Sequence, residues 1–356
     1  MKINLLDLFS GMGGFHLGLE KAGFKVNAYN SEIDKYAIQV YKQNFKNSNY
    51  VGSVTDVQGG KLPKIDAITF GSPCQDFSIA GKRKGMGGDR SSLITEAIRL
   101  IDECRPRFFI WENVKGTFSS NNGADFWAII QAFTNIGGYR LEWQLLNTKW
   151  FLPQNRERIY LVGYTPKGSG GQIFPITDIN SKINELQRQQ TNTITSRYRA
   201  DGQGSYIIQR ELDAQIKVKS ATNKGYEIAK KGDSVNYQNI KSKTRRGRVG
   251  KEIAQTLDTL CKQAVIGDFR GDEGYRERKD GDSPTLLLQC GDNIILNKIR
   301  RLTPIECERL QGFPDDWTKF GTEGLISDTQ RYKMCGNAVT VNVVQAVGES
   351  ILNYYK

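Results

Sequence analysis

Histidine is nearly absent: His16 is the single one in 356 residues. That shortage removes Ser-His-Asp triads, H-E-x-x-H zinc sites and the H-x-E zinc deaminases, so any chemistry must run on cysteine, carboxylates or arginine. Cysteine is sparse as well. The six residues (Cys74, Cys104, Cys261, Cys290, Cys307, Cys335) include no C-x-x-C pair, which argues against a disulfide framework or a structural zinc site and for reduced thiols. No apolar run approaches the roughly 20 residues that cross a bilayer, and Met1 to Phe9 is too short, and too acidic at Asp7, for a signal peptide. The expectation is a cytoplasmic protein with no membrane partner and no metal.

Positive charge is abundant. Fifty Lys and Arg stand against 38 Asp and Glu, a net +12 that favours a polyanionic partner. Eleven basic residues and two acidic ones (Glu227, Asp233) fall between Lys217 and Lys251; a solvated basic loop is the other reading of such a run. With 38% hydrophobic residues, a chain this long can bury a sizeable core, divided into two lobes.

The first half alternates between short apolar runs and helical spacing. Residues 3 to 8 read as a strand that ends at the turn Phe9-Ser10-Gly11-Met12-Gly13-Gly14, and Phe15, Leu19 and Ala22 then recur at helical spacing. Strands follow at Val26 to Tyr29, Ile65 to Phe70, Phe108 to Trp111, Arg140 to Leu146 and Arg158 to Tyr164. Helices follow at Tyr36 to Tyr41, Leu93 to Cys104 and Phe126 to Ile136. This is the pattern of an α/β, doubly wound, mostly parallel sheet. After Pro166 the texture turns to Gly, Ser, Thr, Asn, Gln and charge until Pro304 to Gly312. The expected division is a first domain of residues 1–166 plus 334–356 and a smaller, β-rich domain of residues 167–333. Thr256-Leu257 with Val265-Ile266, and Thr285-Leu286 with Ile294-Ile295, repeat at a spacing of nine, with Thr193-Ile194 and Ile207-Ile208 as a looser copy. They read as short strands, or as chance in a Thr- and Ile-rich stretch.

Several groups fall where open α/β sheets bind ligands, at the carboxyl ends of strands. The Phe9 to Gly14 turn lets backbone approach a ligand closely. It is not the dinucleotide fingerprint, because G-x-G-x-x-G needs a small residue where His16 stands. Glu32 ends the second strand, the usual place for a ribose-binding carboxylate or an ordinary surface one. Cys74, in Gly71-Ser72-Pro73-Cys74-Gln75, ends a buried strand, with Lys82, Arg83 and Lys84 in the Gly-rich stretch after it; the readings are a thiolate favoured by those cations beneath a closing lid, or a lone inert cysteine. Glu112 ends another strand and can face the same crevice. Arg156 and Arg158 lie in Gln154-Asn155-Arg156-Glu157-Arg158 just before a further strand.

Together with Arg301 to Trp317 (RLTPIECERLQGFPDDW) and Gly336-Asn337-Ala338-Val339, these segments resemble the ordered motif set of the C5-cytosine-specific DNA methyltransferases. Six motifs stand in the family order from residue 9 to residue 339, and the stretch left out, roughly 167 to 300, corresponds to that family's variable target-recognition region. The resemblance implies the methyltransferase form of the doubly wound fold and transfer of a methyl group from S-adenosylmethionine to C5 of a flipped-out cytosine, leaving S-adenosylhomocysteine. It implies Cys74 as nucleophile, Glu112 at N3 of the ring, Arg158 at O2 and Arg156 ordering the closed loop. Cofactor contacts carry over to Phe9, Gly11, Met12, Gly13, Glu32, Ile33, Pro73, Leu93, Asn337 and Val339. Ile33 departs from the commonly aromatic residue beside adenine, and Ser53 from a common Asp.

A target base inside a duplex must be flipped out, so double-stranded DNA is the expected partner. Gln75, Ser78, Lys82 and Arg83 belong to the lid that would close on it, and Lys241, Lys243, Arg245, Arg246 and Arg248 would meet phosphates. Family habit adds a monomer from a bacterial restriction-modification system or a phage, with any cognate endonuclease not physically bound. Three rivals remain: an RNA cytosine methyltransferase, disfavoured by the missing Cys-Phe-Thr tripeptide; a catalytically silent DNA binder, disfavoured by intact Cys74, Glu112 and Arg158; and a nucleotide-binding oxidoreductase, disfavoured by the glycine spacing.

Overall fold

The computed structural model describes residues 1–72, 92–167, 171–177 and 299–356, and short pieces at 216–219, 225–229, 233–236, 248–251, 253–255 and 263–266. A seven-stranded sheet organises the body. In chain order its strands are β1 (Lys2–Leu8), β2 (Lys25–Ser31), β3 (Asn49–Tyr50), β4 (Ala67–Gly71), β5 (Phe108–Val114) and β6 (Arg140–Asn147), and, after the short β7 (Gln154–Asn155), β8 (Glu157–Tyr164). Their spatial order is β3-β2-β1-β4-β5-β8-β6. Pairing is parallel from β3 across to β5, whereas β8 inserts between β5 and β6 and runs antiparallel to both. The fold is therefore α/β with a doubly wound, mostly parallel sheet.

Two-fold side-chain alternation builds a core on each face of the sheet. Ile3, Leu5, Phe108 and Ile110 pack on one side with Phe15 and Leu19 of α1 (Gly14–Lys21) and with Val343, Val344, Val347 and Ile351 of the C-terminal helix at 341–355. Leu6, Leu8, Ile68, Phe70, Phe109 and Trp111 pack on the other, under helices at 92–104 and 124–136. Each such side chain, fully buried, contributes about 1.5–3 kcal/mol.

The remaining helices are α2 (Lys35–Asn44), α3 (Ser92–Cys104), α4 (Ala124–Ile136), α5 (Pro304–Leu310), α6 (Asp328–Asn337) and α7 (Val341–Tyr355). Their starts are written locally. Asp34 caps α2 by accepting from Tyr36 N and Ala37 N, and Thr303 with Glu306 forms a capping box on α5 with Pro304 in its first turn. Residues 302–341 reach back to the first helices: Leu302, Cys307, Phe313, Ile326, Tyr332, Met334 and Val341 share one buried cluster with Met12, Ala37 and Val40. Residues on both sides of position 334 thus pack together.

Between these regions the described pieces are short strands. Residues 248–250, 234–236, 263–266 and 299–301 form an antiparallel four-stranded sheet, in that order, and 216–219 pairs with 226–229. Ala254-Gln255 pairs parallel with β7 and so ties this part to the main body. Of the nine-residue repeat, Val265-Ile266 lies in a strand and the other copies lie outside the described residues. Among the described residues, no helix is long and apolar enough to cross a membrane.

Candidate active site

The turn after β1 is built from left-handed backbone: Phe9, Gly11 and Gly13 have φ of 51°, 53° and 90°. A side chain at Gly13 would strike the Phe45 ring, whereas a Cβ at Gly11 would meet nothing within 4 Å, so the chain presents open space at its tightest point. Glu32, just past β2, holds this turn. One carboxylate oxygen accepts from Gly11 N at 2.8 Å, and the other accepts from Ile33 N at 2.7 Å and Asp34 N at 3.0 Å. A carboxylate offers about four lone-pair sites, which leaves capacity for a ligand hydroxyl. Ile33 beside it is 78% exposed, and Ser53 turns its hydroxyl to Thr55 at 2.9 Å. Met12 is buried, and its carbonyl accepts from Trp317 Nε1 at 3.0 Å.

Behind this turn lies a buried polar chain. Asp7 accepts from Thr69 Oγ1 at 2.8 Å and from the Tyr41 hydroxyl at 3.5 Å, and that hydroxyl lies 3.0 Å from His16 Nδ1. His16 stacks on Phe45 at 3.7 Å between ring centroids. Burial, with a smaller contribution from the charge of Glu32, pushes the Asp7 carboxyl up to about 8.

At the neighbouring strand ends, β4 and β5 place Gly71 opposite Glu112. Glu112 is 8% exposed, and Arg158, from the start of β8, sets its Nε 3.1 Å from Glu112 Oε1 as an ion pair. That oxygen takes no aligned hydrogen bond. A buried carboxyl group beside a guanidinium, with one oxygen that takes no aligned hydrogen bond, is suited to meet a polar ring edge. Arg156 is buried and turned elsewhere: Nη2 donates to Ala338 O at 2.8 Å and Nη1 to Gly336 O at 3.4 Å. Thr148 and Thr340 reinforce the junction through hydroxyls 2.9 Å apart.

Val339 joins the two halves. Its Cγ2 lies 2.6 Å from where a Cβ on Gly14 would sit, and its Cγ1 lies 3.9 Å from the equivalent point on Gly71. The structure thus brings Phe9, Gly11, Met12, Gly13, Glu32, Ile33, Glu112, Arg156, Arg158 and Val339 to neighbouring strand ends and turns of one sheet. Asn337 closes α6, and Leu93 near the start of α3 packs on the second core. Pro73, Cys74, Gln75, Ser78, Lys82 and Arg83, and Lys241, Lys243, Arg245 and Arg246, lie outside the described residues. Arg248 opens a strand of the small sheet. Sequence reasoning gave no role to Ser72, Trp111, Gln311 or Thr340; Ser72 and Gln311 were visible only as members of quoted motifs, and Trp111 and Thr340 only as neighbours of one.

The model of the C-5 cytosine-specific DNA methylase family matches residues 3–353. The chain is 31% identical over 358 residues to the type II methyltransferase M1.ScrFI of Lactococcus lactis subsp. cremoris, covering 99% of this chain and 78% of that protein. It is also 31% identical over 355 residues to the type II methyltransferase M.HpaII of Haemophilus parainfluenzae, covering 99% and 89%. In fold it is similar to the S. pombe Dnmt2 methyltransferase, at a TM-score of 0.63 and 18% identity over 99% of this chain and 98% of that one. With its family match running almost from end to end, this chain belongs to the C-5 cytosine-specific DNA methylases.

Proposed function

We propose that the chain methylates C5 of a cytosine flipped out of double-stranded DNA. The observation that carries this reading is the Glu112–Arg158 pair, near the end of β5 and at the start of β8, two strands over from the glycine turn that Glu32 holds after β1. S-adenosylmethionine supplies an electrophilic methyl group, and Phe9, Gly11, Met12, Gly13, Glu32, Ile33, Pro73, Leu93, Asn337 and Val339 would hold it. The open backbone at Gly11 and the spare acceptor capacity of Glu32 fit such a ligand.

C5 of cytosine is a weak nucleophile. Cys74 as thiolate adds to C6, which turns the ring into an enamine able to attack at C5. Glu112, in its protonated form, would donate to N3 and Arg158 would donate to O2, so the electron density that develops on the ring as the thiolate adds meets fixed donors and charge. Attack through C5 would break the methyl–sulfonium bond and leave S-adenosylhomocysteine; the C5 proton then leaves to water and the C6–S bond breaks, which restores both cysteine and aromaticity. Gln75, Ser78, Lys82, Arg83, Lys241, Lys243, Arg245, Arg246 and Arg248 are the proposed DNA contacts, most of them to phosphate. The proposed division keeps residues 1–166 and 334–356 as the catalytic domain and 167–333 as target-recognition domain, whose stretch from Leu302 packs on Met12, Ala37 and Val40. A cytoplasmic monomer from a restriction-modification system or a phage, with no bound endonuclease and no metal, completes the proposal.

The test is methylation of unmethylated genomic DNA by the purified protein, mapped by bisulfite sequencing beside Cys74→Ala. Modification at one short sequence, lost in the variant, is expected. Salt-sensitive DNA binding without methylation would refute it.

A further inference from the structure

Ser72 follows the last residue of β4, and the proposed chemistry gives it no role. Its hydroxyl is buried and accepts two hydrogen bonds, from Trp111 Nε1 at 3.0 Å and from Asn113 Nδ2 at 3.1 Å. Both donors belong to β5 and flank Glu112. Side chains alternate along a strand, so Trp111 and Asn113 point to the α3 and α4 side while Glu112 points to the face where Gly71 meets Val339.

Both donors are fixed. Trp111 is fully buried in the second core, edge-on to Phe133. The Asn113 carbonyl oxygen accepts from Val114 N at 2.7 Å, which orients the amide so that its NH2 faces Ser72. The β4–β5 register ends at Gly71 and Glu112, so this hydroxyl is the next tie between the two strands.

Building on the proposed function, we infer that Ser72 is a positioning residue for the nucleophile. Cys74 follows within two residues, at most about 7 Å of chain. A thiolate at C6 and a carboxyl at N3 must engage one ring at once, and such groups need to be held to roughly 0.5 Å. The clamp sets the chain that leads on to Cys74 against the strand that carries Glu112, from the α3 and α4 side of the sheet. Alanine at this position strands two buried N–H donors.

The experiment compares wild type with Ser72→Ala, Ser72→Thr and Trp111→Phe. Competent sites are counted by covalent trapping on a duplex containing 5-fluorocytosine, and the single-turnover methylation rate per competent site and the KM for S-adenosylmethionine are measured. Ser72→Ala should slow the per-site rate by roughly 10- to 100-fold with KM little changed. Trp111→Phe, which removes one donor, should fall between it and wild type, and Ser72→Thr, which keeps the acceptor, should recover most of the rate. A wild-type per-site rate in Ser72→Ala, with only the count of competent sites reduced, would mean a purely structural serine and overturn the inference. If Ser72→Ala does not fold, a wild-type per-site rate in Trp111→Phe overturns it instead. A wild type that methylates no DNA refutes the function on which the clamp rests.

Discussion

Asp7 makes the stability of this fold sensitive to pH, although no solvent reaches it. Folding moves its carboxyl from an ordinary value of 3.8 to about 8, chiefly because burial disfavours the charge. Between those limits the folded chain holds a proton that the unfolded chain has released, so stability falls as pH rises and levels off above the folded value. From pH 6 to pH 8 this one group should withdraw about 2 kcal/mol. Asp7→Asn keeps the shape and the acceptor for Thr69 and cannot ionise, so it should lose that dependence. The assay is unfolding of wild type and variant at both pH values, by urea and by heat. The wild-type midpoint should drop by about 3 °C more than that of the variant over this interval. Parallel curves for the two proteins would refute the claim that Asp7 is held neutral beneath the cofactor turn.

Glu112→Gln retains the volume of the side chain and removes its charge beside Arg158; it should cut methylation by roughly 100-fold or more while leaving the KM for S-adenosylmethionine little changed, and a fall confined to KM would assign Glu112 to binding instead. Gly14→Ala places a methyl 2.6 Å from Val339 Cγ2 and 3.2 Å from Val339 O. It should cost about 1–3 kcal/mol of stability and weaken cofactor binding, measured by calorimetry; unchanged affinity would show that Val339 is not part of that pocket. Arg331→Met leaves the fully buried Glu308 without the guanidinium 3.0 Å away, and urea unfolding should register a loss of about 3–5 kcal/mol. Glu308→Gln added to it should recover part of that loss, and a double variant no better than the single one would deny the pairing.

Features fixed by short-range pattern were legible in the sequence. The run 3–8, its glycine turn and the helix after it needed only hydrophobic period and the backbone freedom of glycine; Glu32 and Glu112 stood out as carboxylates that end strands and Arg158 as a guanidinium that begins one, while their roles came only with the family resemblance. What the period of a strand cannot specify is its neighbour: nothing in Glu157–Tyr164 announces that it runs antiparallel between β5 and β6. Helix α6 escaped notice because its sequence, DTQRYKMCGN, is mostly polar, and it earns burial through Arg331, Tyr332, Met334 and Cys335 rather than through an apolar stripe. The packing of Leu302, Phe313 and Ile326 against Met12 and Val40 spans nearly the whole chain, a separation at which local pattern carries no information. Ser72 was read only as part of a motif, since its partners are a strand away.

Arg156 shows how the parts are made to act together. It stands two residues from Arg158, so one short segment carries both the cation that faces Glu112 and the one that ties down the carbonyls of Gly336 and Ala338. Those carbonyls flank Asn337 and precede Val339, which lies where a side chain on Gly14, after the glycine turn, would strike it, and 3.9 Å from where a Cβ on Gly71 of β4 would sit. Thr340 extends the tie by donating to Gln311, whose amide donates to Cys335 O at 2.8 Å. A ligand that shifts Val339 therefore works against the same buried network that anchors Arg156, two residues before Arg158. Such networks are costly to satisfy in part, so cofactor side and base side are held in one arrangement rather than adjusted separately.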